Sequence, residues 1–462
     1  IVVSEVVDHA DADVARAREA VDRHATMMVR RTRTEGLVDV LKQVSWEDTV
    51  HALDDHCTAY SGCTDLERVL VADKLFLSLA PADDIGRIAE GIETRAPLAL
   101  LVRARVLRWQ SRLAESRALL EEALTKAPGR PALVMAYVDT LLEMGERDAA
   151  VAELEKLAPR DDRAAIRLAG LRTRAGEKSA FDAVIARVRG LPKQSDERID
   201  ALTQAGYTLA SLGHFDEAER LWNEALTDRP PTLLSDARAL EMAGVVVLMG
   251  VVRPDRALAE RWLRKLNDIG QSNAPGAWRI AAFQLAARAL IEVMDAGDHD
   301  LERAKADVAR LEQMKNDVPI VVTTVRWYLA FNEKRYDDAD RIANTSMDRC
   351  FRPAHLAMAA VARGDVAAAD RLLDEATSVE VERSCTTGDD LVPFVQSVMF
   401  ARTLADVAYA AMERGDLERT RGAYERFLSF WPDPDPLVEP PGTTRPHSSA
   451  AISAVATWLG EH

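Results

Sequence analysis

Between residues 196 and 230, small and large side chains fall at fixed offsets. Ala205, Gly206, Ala218 and Ala225 alternate with Leu202, Leu209, Phe215 and Trp222; Gly213 divides the stretch and Pro230 closes it. Each choice has a steric reading. Gly206 and Ala218 let two antiparallel helices approach closely, and Trp222 fills the space toward the next unit. Gly213 can take the left-handed bend after the first helix, and Pro230 stops the second. Such a pair buries too little surface alone, so it predicts neighbours of the same kind stacked on either side.

The same frame, about 34 residues long, returns along the chain. It places Ala104, Leu107, Leu120, Ala123 and Pro128 in one unit, and Leu141, Gly145, Ala150 and Leu154 in the next. Gly176 marks a looser third unit. Ala243 and Gly250 follow the opening stretch, with about two residues inserted before the second helix. A longer helix pair comes next. Then Tyr336 and Ala339, Gly364, Ala369 and Ala376, and finally Ala408, Gly415, Tyr424, Phe427 and Pro432 resume the pattern. This spacing resembles the tetratricopeptide repeat, of the bacterial type. The resemblance implies an all-α, right-handed superhelical solenoid of helix-turn-helix repeats, with about nine units over residues 97–432. The last unit also resembles repeat modules found after serine/threonine kinase domains.

Residues 1–96 have helical periodicity but fit the frame poorly, and are expected to be an N-terminal helical cap or divergent repeats. Residues 433–447 belong to a stretch, 431–447, that holds six of the 19 prolines and read as a linker; residues 448–462 read as an amphipathic C-terminal helix able to seal the last repeat. The segment 377–394 is longer than an ordinary inter-repeat turn. The chain opens on Ile rather than Met, so the expectation is that something N-terminal has been removed.

With 48% hydrophobic residues and only 5% aromatic ones, the composition suits Ala- and Leu-rich helices better than sheet. A net charge of −16 opposes broad attraction to nucleic acid or anionic lipid. The longest apolar run, 242–252, is well short of the roughly 20 residues a membrane span requires.

Catalytic and cofactor signatures are not found, and the expectation is a non-catalytic protein with no cofactor and no metal. The nearest phosphate-loop lookalike, Gly170–Ser179, has the wrong spacing, and its Gly176 is the repeat's bend. Asp8, Asp11 and Asp13 lack the glycine and distal Glu of a calcium loop. The cysteines fall as two pairs, Cys57 with Cys63 and Cys350 with Cys385. Two disulfides in an oxidising, periplasmic or extracytoplasmic setting is one reading, and four thiols in the cytoplasm is the other.

In the family that the spacing resembles, the first helix of each unit lines a concave groove that holds a partner peptide. Carried onto this chain, the groove positions are polar at first, with Arg105, Arg108, Trp109, Arg163 and Arg174 around Asp139 and Glu143. They turn apolar later, at Tyr207, Val247, Leu248, Tyr328, Phe331, Met358, Tyr409 and Met412. Tyr207, Val247, Tyr328, Phe331, Met358, Tyr409, Arg105 and Arg108 are the expected contacts of a protein or peptide partner. Thr203 and Tyr207 stand where chaperone-tail receptors carry Lys and Asn, so that clamp is absent. The alternatives are a structural subunit of an envelope or extracellular assembly, and a sensor or recruitment module of a separate enzyme such as a kinase.

Overall fold

The structure, a computed structural model, describes residues 37, 46–60, 62–77, 82–177, 179–229, 233–252, 255–270, 277–294, 300–313, 319–346, 351–377, 392–432, 434 and 449–461. Most of the expected N-terminal cap, Pro230, the Trp109 side chain, Cys350, the long interruption with Cys385, and all of the Pro-rich linker but Pro434 lie outside these residues. All regular structure among the described residues is helical. The chain divides between Val106 and Leu107 into two compact units.

Unit 1 contains α1 (Trp46–Ala59), α2 (Asp65–Leu77) and α3 (Ala82–Glu90), with α1 packed on α2 and α2 on α3. Leu53, Val69, Ala72, Ile85 and Ile88 are buried between them. The helix α4 (Pro97–Trp109) carries the division between the units.

From α4 onward the helices come in pairs. The early pairs involve α5 (Leu113–Lys126), α6 (Pro131–Glu143), α7 (Arg147–Leu157), α8 (Asp162–Arg174) and α9 (Ala180–Arg189). Then follow α10 (Asp196–Ser211), α11 (Phe215–Thr227), α12 (Leu233–Val252), α13 (Arg256–Gly270), α14 (Ala277–Met294) and α15 (Leu301–Gln313). The series ends with α16 (Pro319–Asn332), α17 (Tyr336–Ser346), α18 (Arg352–Arg363), α19 (Val366–Thr377), α20 (Val392–Met412) and α21 (Leu417–Phe430), and a last helix, α22 (Ser449–Glu461). Among the described residues of unit 2, each second helix packs against its own first helix in the eight pairs from α6–α7 to α20–α21.

The bends show why the frame repeats. After α6, Gly145 N–H donates to Leu142 and Glu146 N–H to Leu141, satisfying carbonyls that the helix end leaves open. The same two bonds recur at Gly176–Glu177, Gly213–His214, Gly364–Asp365 and Gly415–Asp416, and each glycine has φ between 70° and 97°. Ser111 and Lys334 hold the identical bend with φ near 60°, where the sequence has no glycine to mark it. Asp365 and Asp416 then cap the next helix by accepting from the N–H of Ala368 and Arg419. The tight approach at Gly206 is also real: a Cβ there would overlap the Trp222 indole, which is fully buried.

Candidate functional site

The first helices of the early pairs share a polar strip. On α6, Asp139 and Glu143 lie one turn apart on one face, and both are almost completely buried. Arg108 reaches across from α4, its Nη1 donating to Asp139 Oδ2 at 2.9 Å and its Nε lying 3.3 Å from Glu143 Oε1. From the other side, Arg167 on α8 donates to Asp139 Oδ1 at 2.9 Å. The two guanidiniums, themselves largely buried, thus neutralise the carboxylates. Arg163, 56% exposed, continues the strip and lies 3.9 Å from Asp200 on α10.

The later pairs are built differently. Helix α20 packs not only on its neighbours but on α10 and α12, first helices of pairs several units earlier. First helices that meet across so long an interval must meet across the interior of the turn. At the edge of this closure, Trp431 contacts Phe215 edge-on at 5.8 Å. A Cβ at Gly213 would lie 2.8 Å from Pro434 Cβ and 3.0 Å from Trp431 Cγ, so this bend needs a glycine for room as well as for φ. The core from α8 to α22 is continuous, and α22 packs on α20 and α21.

This closure corrects the expectation of an open apolar groove. Tyr207 is buried against Trp222, with ring centroids 5.9 Å apart, and Val247 is fully enclosed. Tyr328 is buried beside His355, and burial raises its phenol above the usual range. Phe331 is half-buried and stacked on Trp327 at 4.9 Å; Met358 packs half-buried on the core. Tyr409 is half-buried on α20 itself, its phenol raised by burial and by Glu413. Tyr207, Val247 and Tyr328 are core residues here rather than an exposed wall. Arg108 stands on the polar strip, and Arg105 is half-buried in unit 1.

Two residues that sequence reading passed over matter here. Arg198, buried at the start of α10, donates to carbonyls of Val188, Arg189 and Leu191 at the end of α9. Its other nitrogens bind Glu224 at 2.6 Å and Asp228 at 2.8 Å. A cation at a helix C-terminus answers both the open carbonyls and the helix dipole, so Arg198 joins the early pairs to the closed ones. His355 is buried, its Nδ1 2.8 Å from the Phe351 carbonyl, and burial lowers its pKa to about 4.

In unit 1, Cys57 and Cys63 form a disulfide with Cα atoms 4.7 Å apart. Among the described residues, no group of three or more His, Cys, Asp or Glu side chains is placed to hold a metal. No described helix is long and apolar enough to cross a membrane.

Residues 110–175 match the tetratricopeptide repeat family. No curated protein matches the sequence. Among solved structures, the chain is similar to a tetratricopeptide repeat protein from Parabacteroides merdae, at 12% identity and a TM-score of 0.27, covering 79% of this chain and 100% of that one. It is also similar to yeast Tom70, at 10% identity and 0.32, covering 86% and 96%. The Cut9-Hcn1 hetero-tetramer of the APC/C matches at 11% identity and 0.31, covering 93% and 89%. Superpositions this loose carry no weight for the arrangement of the pairs. Gly145, one of the left-handed bends, falls inside the residues that match the tetratricopeptide repeat family, and Gly176 lies just past their end.

Proposed function

We propose that the protein is a non-catalytic scaffold that holds a partner protein along the polar strip of the early pairs. The observation behind this reading is the contrast between the two inner faces. Helices α10 and α12 are packed on α20, while the early pairs hold Arg108 and Arg167 on buried carboxylates and leave Arg163 exposed beside them. Guanidiniums held in place by carboxylates lose little further freedom on binding, which favours recognition.

Arg163→Glu tests the reading, because that side chain is exposed and its loss leaves the buried network intact. The partner retained by the purified full chain is first identified by crosslinking and mass spectrometry, and its affinity is then measured. Arg163→Glu is expected to weaken binding at least tenfold with an unchanged melting temperature. Unchanged affinity sinks the strip as the contact surface.

A second reading, a structural subunit of an extracytoplasmic assembly, draws on unit 1. Its Cys57–Cys63 bond fits an oxidising compartment, and the strongly exposed large hydrophobics among the described residues, Tyr60, Leu66 and Leu98, all belong to it. Tyr60→Asp with Leu66→Asp dissolving a stoichiometric complex, while Arg163→Glu leaves it intact, would favour this reading over the strip.

A further inference from the structure

We propose that the Cys57–Cys63 disulfide is a reversible redox latch on the corner between α1 and α2, setting how rigidly unit 1 presents Tyr60. The corner is pinned by several contacts besides the covalent one. Thr64 and Glu67 form a reciprocal cap at the start of α2, the Thr64 N–H donating to Glu67 Oε2 at 2.8 Å. The other oxygen of the fully buried Glu67 bonds His56 Nε2 at 3.1 Å. Asp65 accepts from the N–H groups of Glu93 and Thr94 at 3.2 and 2.7 Å, and the Arg68 guanidinium lies over Gly91. Against these polar pins, the connection itself is exposed: Thr58, Ala59, Tyr60, Gly62 and Thr64 all face solvent.

The two sulfurs are unequal in access. Cys57 is buried at the end of α1 and Cys63 is half-buried in the exposed connection, so an incoming thiolate meets Cys63. That attack forms a mixed disulfide at Cys63 and expels Cys57 as thiolate, which takes a proton. The reductant's second thiol then releases Cys63, and the external dithiol leaves as its own disulfide, having supplied two electrons and two protons. Neither step requires α1 or α2 to open. With the bond cut, the pins through Glu67 and Asp65 still hold the helices, and only the five residues between the cysteines gain freedom. Because the sulfurs are separated by six positions along the chain, closing the ring again costs little chain entropy. A disulfide oxidant such as glutathione disulfide would therefore restore it. The expected consequence is local: a rigid exposed aromatic in the oxidised chain, a mobile one in the reduced chain.

The test uses the full chain, with dithiothreitol as reductant at a temperature where the helices stay intact. Alkylation followed by peptide mapping should show Cys57 and Cys63 labelled together after reductant, and protected again after glutathione disulfide. Mapping separates them from Cys350 and Cys385. Amide exchange over 58–64 should rise at least tenfold in the reduced protein, with α3 and unit 2 unchanged. A Cys57→Ser, Cys63→Ser variant should reproduce the reduced pattern. A bond that resists dithiothreitol until the chain unfolds would overturn the latch in favour of a closed staple. So would exchange that spreads over residues 46–77, failure of the double variant to fold, or exchange at 58–64 that stays at the oxidised level.

Discussion

Hairpins α6–α7 and α20–α21 end their first helices with the same pair of hydrogen bonds and the same left-handed glycine, yet their inner faces meet opposite fates. In the first, the inner side of α6 offers Asp139 and Glu143, which take up arginines from the neighbouring pairs. In the second, α20 is apolar over most of its length, with Val398, Phe400, Leu404 and Ala408 buried, and packs on α10 and α12 as well as on its own partner α21. Carboxylates buried without cations would cost several kcal/mol, so a face of that kind is stable only where arginines reach it. An apolar face is stable wherever another apolar face can cover it, here one from several pairs away. The local bend is common property; the polarity of the first helix decides whether the turn closes.

The largest test of this contrast is Trp431→Ala. Removing a fully buried indole from the closure is expected to lower stability by about 3–5 kcal/mol. It should also speed amide exchange in α10 and α11, far away in sequence. Leu154→Ala, equally buried among the early pairs, should cost about 3 kcal/mol but disturb only the pairs that touch it. If Trp431→Ala leaves α10 and α11 as protected as before, the two regions are alike and the closure is wrong.

The regions should also separate on acidification. His355 has a folded pKa lowered to about 4 from an ordinary 6.5, so the unfolded chain takes up a proton first as pH falls. Its contribution is therefore complete above pH 6.5 and drains away between 6.5 and about 4, reaching about 3 kcal/mol. Urea midpoints across that window should show the loss in the closed region, and His355→Phe should flatten it. A variant with the same pH slope as the parent would assign the acid sensitivity elsewhere.

A finer comparison lies between two glycines with the same bend. Alanine at either Gly213 or Gly415 should cost roughly 1–2 kcal/mol for the left-handed backbone. Gly213→Ala should cost more, because Pro434 and Trp431 occupy the space its Cβ needs, whereas the space beside Gly415 is open. Equal losses would mean that Trp431 and Pro434 do not seat there. Smallest of all, Ser111→Gly and Lys334→Gly should each raise stability by about 0.5–1 kcal/mol by relieving a positive φ. Similar gains at the two positions, one in each region, would show that the bend is the same device in both.

Much of the fold was legible because its signals are local. Gly145, Gly176, Gly213, Gly364 and Gly415 mark bends that depend on a few neighbouring residues, and Gly206 marks a contact within one hairpin. Ser111 and Lys334 hold the same bend invisibly, since hydrogen bonds can impose a conformation that the residue type does not advertise. Arg198 escaped because its five oxygen partners come from the ends of α9 and α11 and the residues just after them, and no short window contains them. Tyr207 and Val247 were read as anchors for a partner and are buried instead; that α20 packs on their helices α10 and α12 could not be read, because α20 begins more than 140 residues downstream.

The sequence by itself determined that short helices would alternate with left-handed bends, which ones would press closely, and that they would stack on one another, because these follow from steric rules acting within one or two units. Only the tertiary structure decided which inner faces stay at the surface. Small rotations between neighbouring pairs add up along the chain, and whether they bring α20 onto α10 and α12 is a property of the whole sum rather than of any unit in it.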